Sequence, residues 1–152
     1  HVWGAAFVLR QWPHIKAYGN RIDFEKLPLP SEQLKGYGIP LPLEDVPMER
    51  YTLVQQDDLI RLGGEELRVL FVPGHAPGHI AFYAGESDIL LSGDTLLQGT
   101  IGRTDFWYGD YDQLVEAIKS QYMTLPDETI VFSGHGPETT IGFERRKNPF
   151  LQ

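Results

Sequence analysis

The sequence predicts a layered α/β or α+β sandwich, on three observations. Apolar, strand-like runs come in pairs joined by short glycine-bearing turns: residues 59–62 with 67–72 about Gly63-Gly64, then residues 79–83 with 89–92 about residues 85–88. An amphipathic helix follows at residues 111–122, with Leu114, Val115 and Ile118 on one face and Asp110 placed to cap it. A last apolar run, residues 129–132, has the character of a fully buried strand, and a short helix near residues 141–147 closes the pattern. Strands first in pairs and helices afterwards favour layers packed on a shared core.

The remaining segments are less regular. In residues 1–10, Trp3, Ala6, Phe7 and Leu9 recur at helical spacing, and Pro13 stops that helix. Residues 14–18 are expected as a short strand ended by the Gly19-Asn20 turn, with His14 on plain surface. Residues 27–48 contain Pro28, Pro30, Pro40, Pro42 and Pro47, which exclude a long regular element. That excursion is either a lid, with Tyr37, Ile39, Leu41 and Leu43 over the rim of a site, or a plain cover for the core.

Composition limits the chemistry. The 152 residues suit roughly one domain of about 150 residues, and no repeat or low-complexity stretch marks a second. Hydrophobic content of 41% and charged content of 22% are those of an ordinary globular chain. A net charge of −8 argues against nucleic acid or an anionic membrane as partner. The chain has no cysteine, so any metal must be held by histidine and carboxylate, which suits zinc, iron or manganese. No apolar run approaches the roughly 20 residues that span a bilayer. With no signal peptide visible, the cytoplasm is the default expectation.

Three turns carry the chemistry. Pro73-Gly74-His75-Ala76-Pro77-Gly78-His79, Ser92-Gly93-Asp94-Thr95 and Ser133-Gly134-His135-Gly136-Pro137 each put a metal-competent side chain in a glycine-flanked turn after an apolar run. Glycine there lets the backbone bend sharply and approach a ligand closely. His75, Asp94 and His135 are therefore expected together at a metal site on a sheet rim. A lone histidine more often serves structure, and Asp94 alone would pass for a turn cap; the series of three lifts them. His79 lies four residues after His75, but Pro77 and Gly78 forbid the helix that would align the two. It is expected to orient a ligand or anchor a strand. Arg103 and Asp105 are expected to staple their loop as an ion pair, with Trp107 and Tyr108 beside them as a pocket wall. No Gly-x-Ser-x-Gly elbow or cysteine nucleophile supports covalent acyl transfer.

These motifs resemble the metallo-β-lactamase-fold hydrolases, most closely their single-domain glyoxalase II-like branch. The matching pieces are residues 73–79, Gly93-Asp94, residues 99–105, residues 134–140 and Asn148-Pro149-Phe150. The resemblance implies a four-layer αββα sandwich and a site with two divalent metal ions, most simply zinc. In that site His75 would ligate the first metal, Asp94 would bridge, and His135 would ligate the second. His1-Val2-Trp3-Gly4-Ala5 is similar to the end of the family's His-x-His-x-Asp-His motif, which would make His1 a further ligand of the second metal. The resemblance then implies that residues 1–152 form one domain lacking upstream strands and the His-x-His-x-Asp segment, so that the sandwich is only partly represented.

The activity so implied is metal-dependent hydrolysis by a bridging hydroxide, with a small thioester of the hydroxyacylglutathione type as substrate. His75, Asp94 and His135 would carry it. Two-domain glyoxalases II bind glutathione largely through a carboxy-terminal helical domain that is not expected within residues 1–152, so the resemblance implies hydrolysis more directly than the substrate. Three alternatives stand beside it. One is a persulfide dioxygenase with a single iron on the same scaffold. Another is a copper site on a free amino-terminal His1, against which the strand pattern and the three turns argue. The last is a metal-free, catalytically silent scaffold that binds partners.

Overall fold

A computed structural model describes residues 2–152 and places them in two compact units, one running to Val54 and the other spanning Gln55–Gln152. In the first unit the expected helix is α1 (Ala5–Gln11), with Ala6 and Leu9 buried. The strand expected at residues 14–18 is instead β1 (Ala17–Gly19), paired in parallel with β2 (Tyr51–Leu53). Asn20 does not form a turn. It caps α2 (Arg21–Lys26), accepting the Ile22 N–H at 3.0 Å, while its amide donates to the Val54 carbonyl at 3.0 Å. Asparagine favours turns and helix caps for the same reason, which is why the sequence alone does not separate the two. A Cβ on Gly19 would lie 2.9 Å from the Phe24 ring, so a larger residue there would need that ring to shift.

The proline-rich excursion is not wholly irregular. Pro30 occupies the first turn of α3 (Pro30–Gly36), where its missing N–H costs nothing, and the Glu32 carboxylate accepts the Leu29 N–H. Leu34 anchors this helix at 1% exposure. Tyr37 and Leu41, expected over a rim, are both exposed.

The second unit is built on a six-stranded sheet. Its strands are β3 (Leu59–Leu62), β4 (Glu65–Phe71), β5 (Ile80–Ala84), β6 (Ile89–Gly93), β9 (Ile130–Ser133) and β10 (Thr139–Thr140), in the order β10-β9-β6-β5-β4-β3. Both expected hairpins are present as antiparallel pairs, β3 with β4 and β5 with β6. A separate small hairpin, β7 (Leu96–Leu97) with β8 (Thr100–Ile101), turns at Gly99 with φ of 69°. Leu70, Ala81, Leu90 and Val131 form one face of the sheet, which packs on α4 (Tyr111–Gln121) and α5 (Ile141–Lys147) through Leu114, Ile118 and Ile141. Each fully buried leucine or isoleucine there contributes roughly 1.5–3 kcal/mol. Asp110 caps α4 as expected, accepting the Gln113 N–H at 2.9 Å.

One expectation about burial fails. The run at residues 129–132 is apolar on both faces, but only one face of β9 is covered: Val131 is buried while Ile130 and Phe132 are 39% and 40% exposed. Phe132 lies in register with Leu91 and Phe82, an apolar row on the face away from α4 and α5. The mixed α/β class holds. No helix among the described residues is long and apolar enough to cross a membrane.

Candidate metal centre

Strand direction brings the three turns together. β4 and β6 both run antiparallel to β5, and β9 runs parallel to β6, so the carboxyl ends of β4, β6 and β9 share one rim. His75, Asp94 and His135 follow those ends.

Backbone bonds then fix each turn. The Val72 N–H donates to the His79 carbonyl at 2.9 Å and closes the His75 loop, and the Asp110 N–H donates to the Gly74 carbonyl at 2.8 Å. Gly74 has φ of 127° and sits against α4, where a Cβ would come within 2.5 Å of Leu114. Gly93 has φ of 57°, and its carbonyl accepts the Gly134 N–H at 2.8 Å, which draws the His135 turn onto the Asp94 turn. The Gly102 N–H donates to the Thr95 carbonyl at 2.9 Å.

The side chains meet around Asp94. His75 Nε2 is 3.9 Å from Asp94 Oδ2, and His135 Nε2 is 3.8 Å from Asp94 Oδ1. The carboxylate shows one oxygen to each imidazole. Two ligands of one tetrahedral cation with bonds of about 2.1 Å would stand roughly 3.4 Å apart, close to both separations. The donor types and spacings therefore fit a metal-binding role. Among the described residues no group of three His, Asp or Glu side chains closes a metal shell, so the fit is to part of a donor set. His1, the other expected ligand, lies outside the described residues. Two glycines form the cradle: a Cβ on Gly134 would overlap Asp94 Oδ1, and one on Gly102 would overlap the Asp94 carbonyl. Asp94 and His75 are largely covered, with side chains 12% and 19% exposed, while that of His135 is 62% exposed.

The two histidines of the first turn are oriented by carbonyls, which can only accept. His75 Nδ1 stands 2.9 Å from the Arg103 carbonyl, so Nδ1 carries a proton there and Nε2 is the nitrogen that faces Asp94. His79 Nε2 stands 3.1 Å from the Ser92 carbonyl and is protonated there. Burial pushes the His79 imidazole down to about 4, so it is neutral at physiological pH. Its ring also lies where a Cβ on Gly93 would be, 2.7 Å away. His79 thus ties the His75 loop to β6, as its sequence position implied.

Arg103 and Asp105 form the expected loop staple, with paired bonds of 2.6 and 2.7 Å. The guanidinium holds the Asp105 carboxyl below its ordinary range and covers the Phe106 ring at 4.3 Å. Phe106 meets the His75 ring edge-on at 6.0 Å and stacks on Tyr108, while Trp107 stands 78% exposed.

Sequence reasoning missed the supports beneath the rim. The Thr95 hydroxyl donates to the Ser92 carbonyl at 2.7 Å and lies 2.8 Å from the buried Tyr122 hydroxyl, bracing the Asp94 turn from below. Glu144 and Asn148 are both fully buried polar residues. The available signal was a glutamate in line with Ile141 and Asn148 on the apolar face of a short helix.

Comparison with known proteins agrees with this construction. The family model of the metallo-beta-lactamase superfamily matches residues 1–135. The hydroxyacylglutathione hydrolase GloC of Haemophilus influenzae is 40% identical over 152 residues, an alignment covering 97% of this chain and 69% of that protein. The structure of the BLEG-1 B3 metallo-beta-lactamase superposes with a TM-score of 0.86 at 33% identity, covering 99% of this chain and 71% of that one. TTHA1623, solved in a di-iron-bound form, gives a TM-score of 0.84 at 34% identity, with coverage of 99% and 72%. Other curated relatives are spanned less fully, to 60% and 49% of their lengths in two cases. In sequence, in topology and in the turns that end its strands, the chain belongs to the metallo-beta-lactamase superfamily.

Proposed function

We propose that this chain contributes to a two-metal hydrolase centre acting on small thioesters of the hydroxyacylglutathione type. The observation that carries the proposal is the disposition of Asp94, whose two oxygens face His75 and His135 at 3.9 and 3.8 Å. In this reading His75 and Asp94 would hold one divalent ion, and His135 with Asp94 would hold the other. Zinc, iron and manganese all suit such donors. When bound, such ions supply Lewis acidity and a water whose pKa falls towards about 7.

The chain's own residues set the frame for that chemistry. Asp94 supplies the negative charge between the two positions, and its burial keeps that charge strong. The Arg103 carbonyl keeps the proton of His75 on Nδ1, away from Asp94. His79 stays neutral and adds no competing charge beside the pair. Phe106, Tyr108 and Trp107 offer an apolar wall at the same rim for the body of a substrate. A thioester suits this set because a thiolate leaves without a strong proton donor. The name of the 40% identical GloC protein points to the same substrate class.

The test is metal analysis of the full-length protein beside an assay on S-lactoylglutathione. The expected result is two divalent ions per chain, with hydrolysis lost on chelation and restored by zinc, iron or manganese. A single iron per chain with oxygen uptake on glutathione persulfide would replace this reading with the dioxygenase. Metal-free protein with no thermal shift on adding metal would replace it with the binding scaffold.

A further inference from the structure

We propose that Glu144 is a positioning residue for His75, acting through the β7–β8 hairpin to hold the Arg103 carbonyl against His75 Nδ1. The inference rests on the reading of His75 as a metal ligand. Glu144 is buried on α5, where a carboxylate is costly unless its oxygens are satisfied. It takes three donors. The Gly99 N–H lies 3.1 Å from both oxygens, the Thr139 hydroxyl donates at 2.6 Å, and the Asn148 amide donates at 2.7 Å.

The same Asn148 amide donates to the Thr100 carbonyl at 3.0 Å. The clamp therefore grips the turn at Gly99 and the first residue of β8 through adjacent backbone groups. Further along this arm, Gly102 is bonded to Thr95, and the next carbonyl is that of Arg103, 2.9 Å from His75 Nδ1. An apolar residue could fill the space of Glu144 against the core, but it could not hold the Gly99 N–H. If the arm drifts and that bond is lost, His75 is free to place its proton on Nε2. That is the nitrogen facing Asp94, and a protonated nitrogen cannot ligate.

The experiment is imidazole-nitrogen NMR on metal-free full-length protein, labelled at histidine and held at alkaline pH so that the rings are neutral. In wild type, His75 should carry its proton on Nδ1. In Glu144→Leu a substantial Nε2–H population should appear at His75, and zinc affinity should fall about tenfold or more. Glu144→Gln should restore both, since its oxygen can serve Gly99 and Asn148 while its amide meets the rotatable Thr139 hydroxyl. The core variant Ile118→Val should change neither, and the His79 signal, set by Ser92, should stay constant throughout. A folded Glu144→Leu with an unchanged His75 tautomer would overturn the proposal, as would a Gln variant no better than Leu. If Glu144→Leu does not fold, Asn148→Ala is read in the same way. Wild type that takes up none of zinc, iron and manganese would defeat the hydrolase reading alone, because the tautomer is measured without metal.

Discussion

At Gly134 a single methyl group would reach the candidate site, because a Cβ there would overlap Asp94 Oδ1. Gly134→Ala is expected to fold, since the residue is exposed, but to displace the carboxylate. Zinc affinity should fall by about 10–100-fold while the melting temperature of the metal-free protein moves little. A competition titration with a chromophoric chelator measures the first, and an unchanged affinity would remove Asp94 Oδ1 from the site. That His75, Asp94 and His135 come together was legible in the sequence because each follows an apolar run in a glycine turn, a local pattern. Glu144 showed only as a glutamate on the apolar face of a short helix, since no local pattern links it to the Gly99 and Thr139 donors that satisfy it. His79 was legible through Pro77 and Gly78, which ruled out the helical pairing with His75.

Among the elements, α4 supports the site without touching it. Its amino terminus meets the His75 loop through the bond from the Asp110 N–H to Gly74, and its carboxyl end places Tyr122 beneath Thr95. Asp110→Ala removes the cap on the Gln113 N–H and should cost about 1 kcal/mol, read as a lower urea midpoint with unchanged slope. No loss of stability would mean that the cap is replaced by water. Both hairpins, α4 and α5 were legible because their periodicity extends over several residues. The strands β7 and β8, two residues each, fall below the length at which a period can be seen. In β9 the sequence misleads about burial. Ile130, Val131 and Phe132 are alike in hydrophobicity, and only the position of α4 and α5 decides which of them is covered.

For the whole molecule, the sheet order is what brings the three turns to one rim. Three strands pointing one way deliver a His, an Asp and a His to one rim from turns separated along the chain. The expectation of a layered α/β fold with a rim site came from counting such strand ends, whereas the parallel pairing of β6 with β9 had no local signal. A small-molecule substrate is the partner we propose from the family relationship, and the net charge of −8 runs against nucleic acid or an anionic membrane. The central claim is that Asp94 serves two metal positions at once. The measurement that tests it most directly is the metal content of full-length Asp94→Ala, determined by mass spectrometry beside wild type after equal loading. A shared carboxylate predicts that this one substitution depletes both ions together. Loss of one ion with the other fully retained would contradict it.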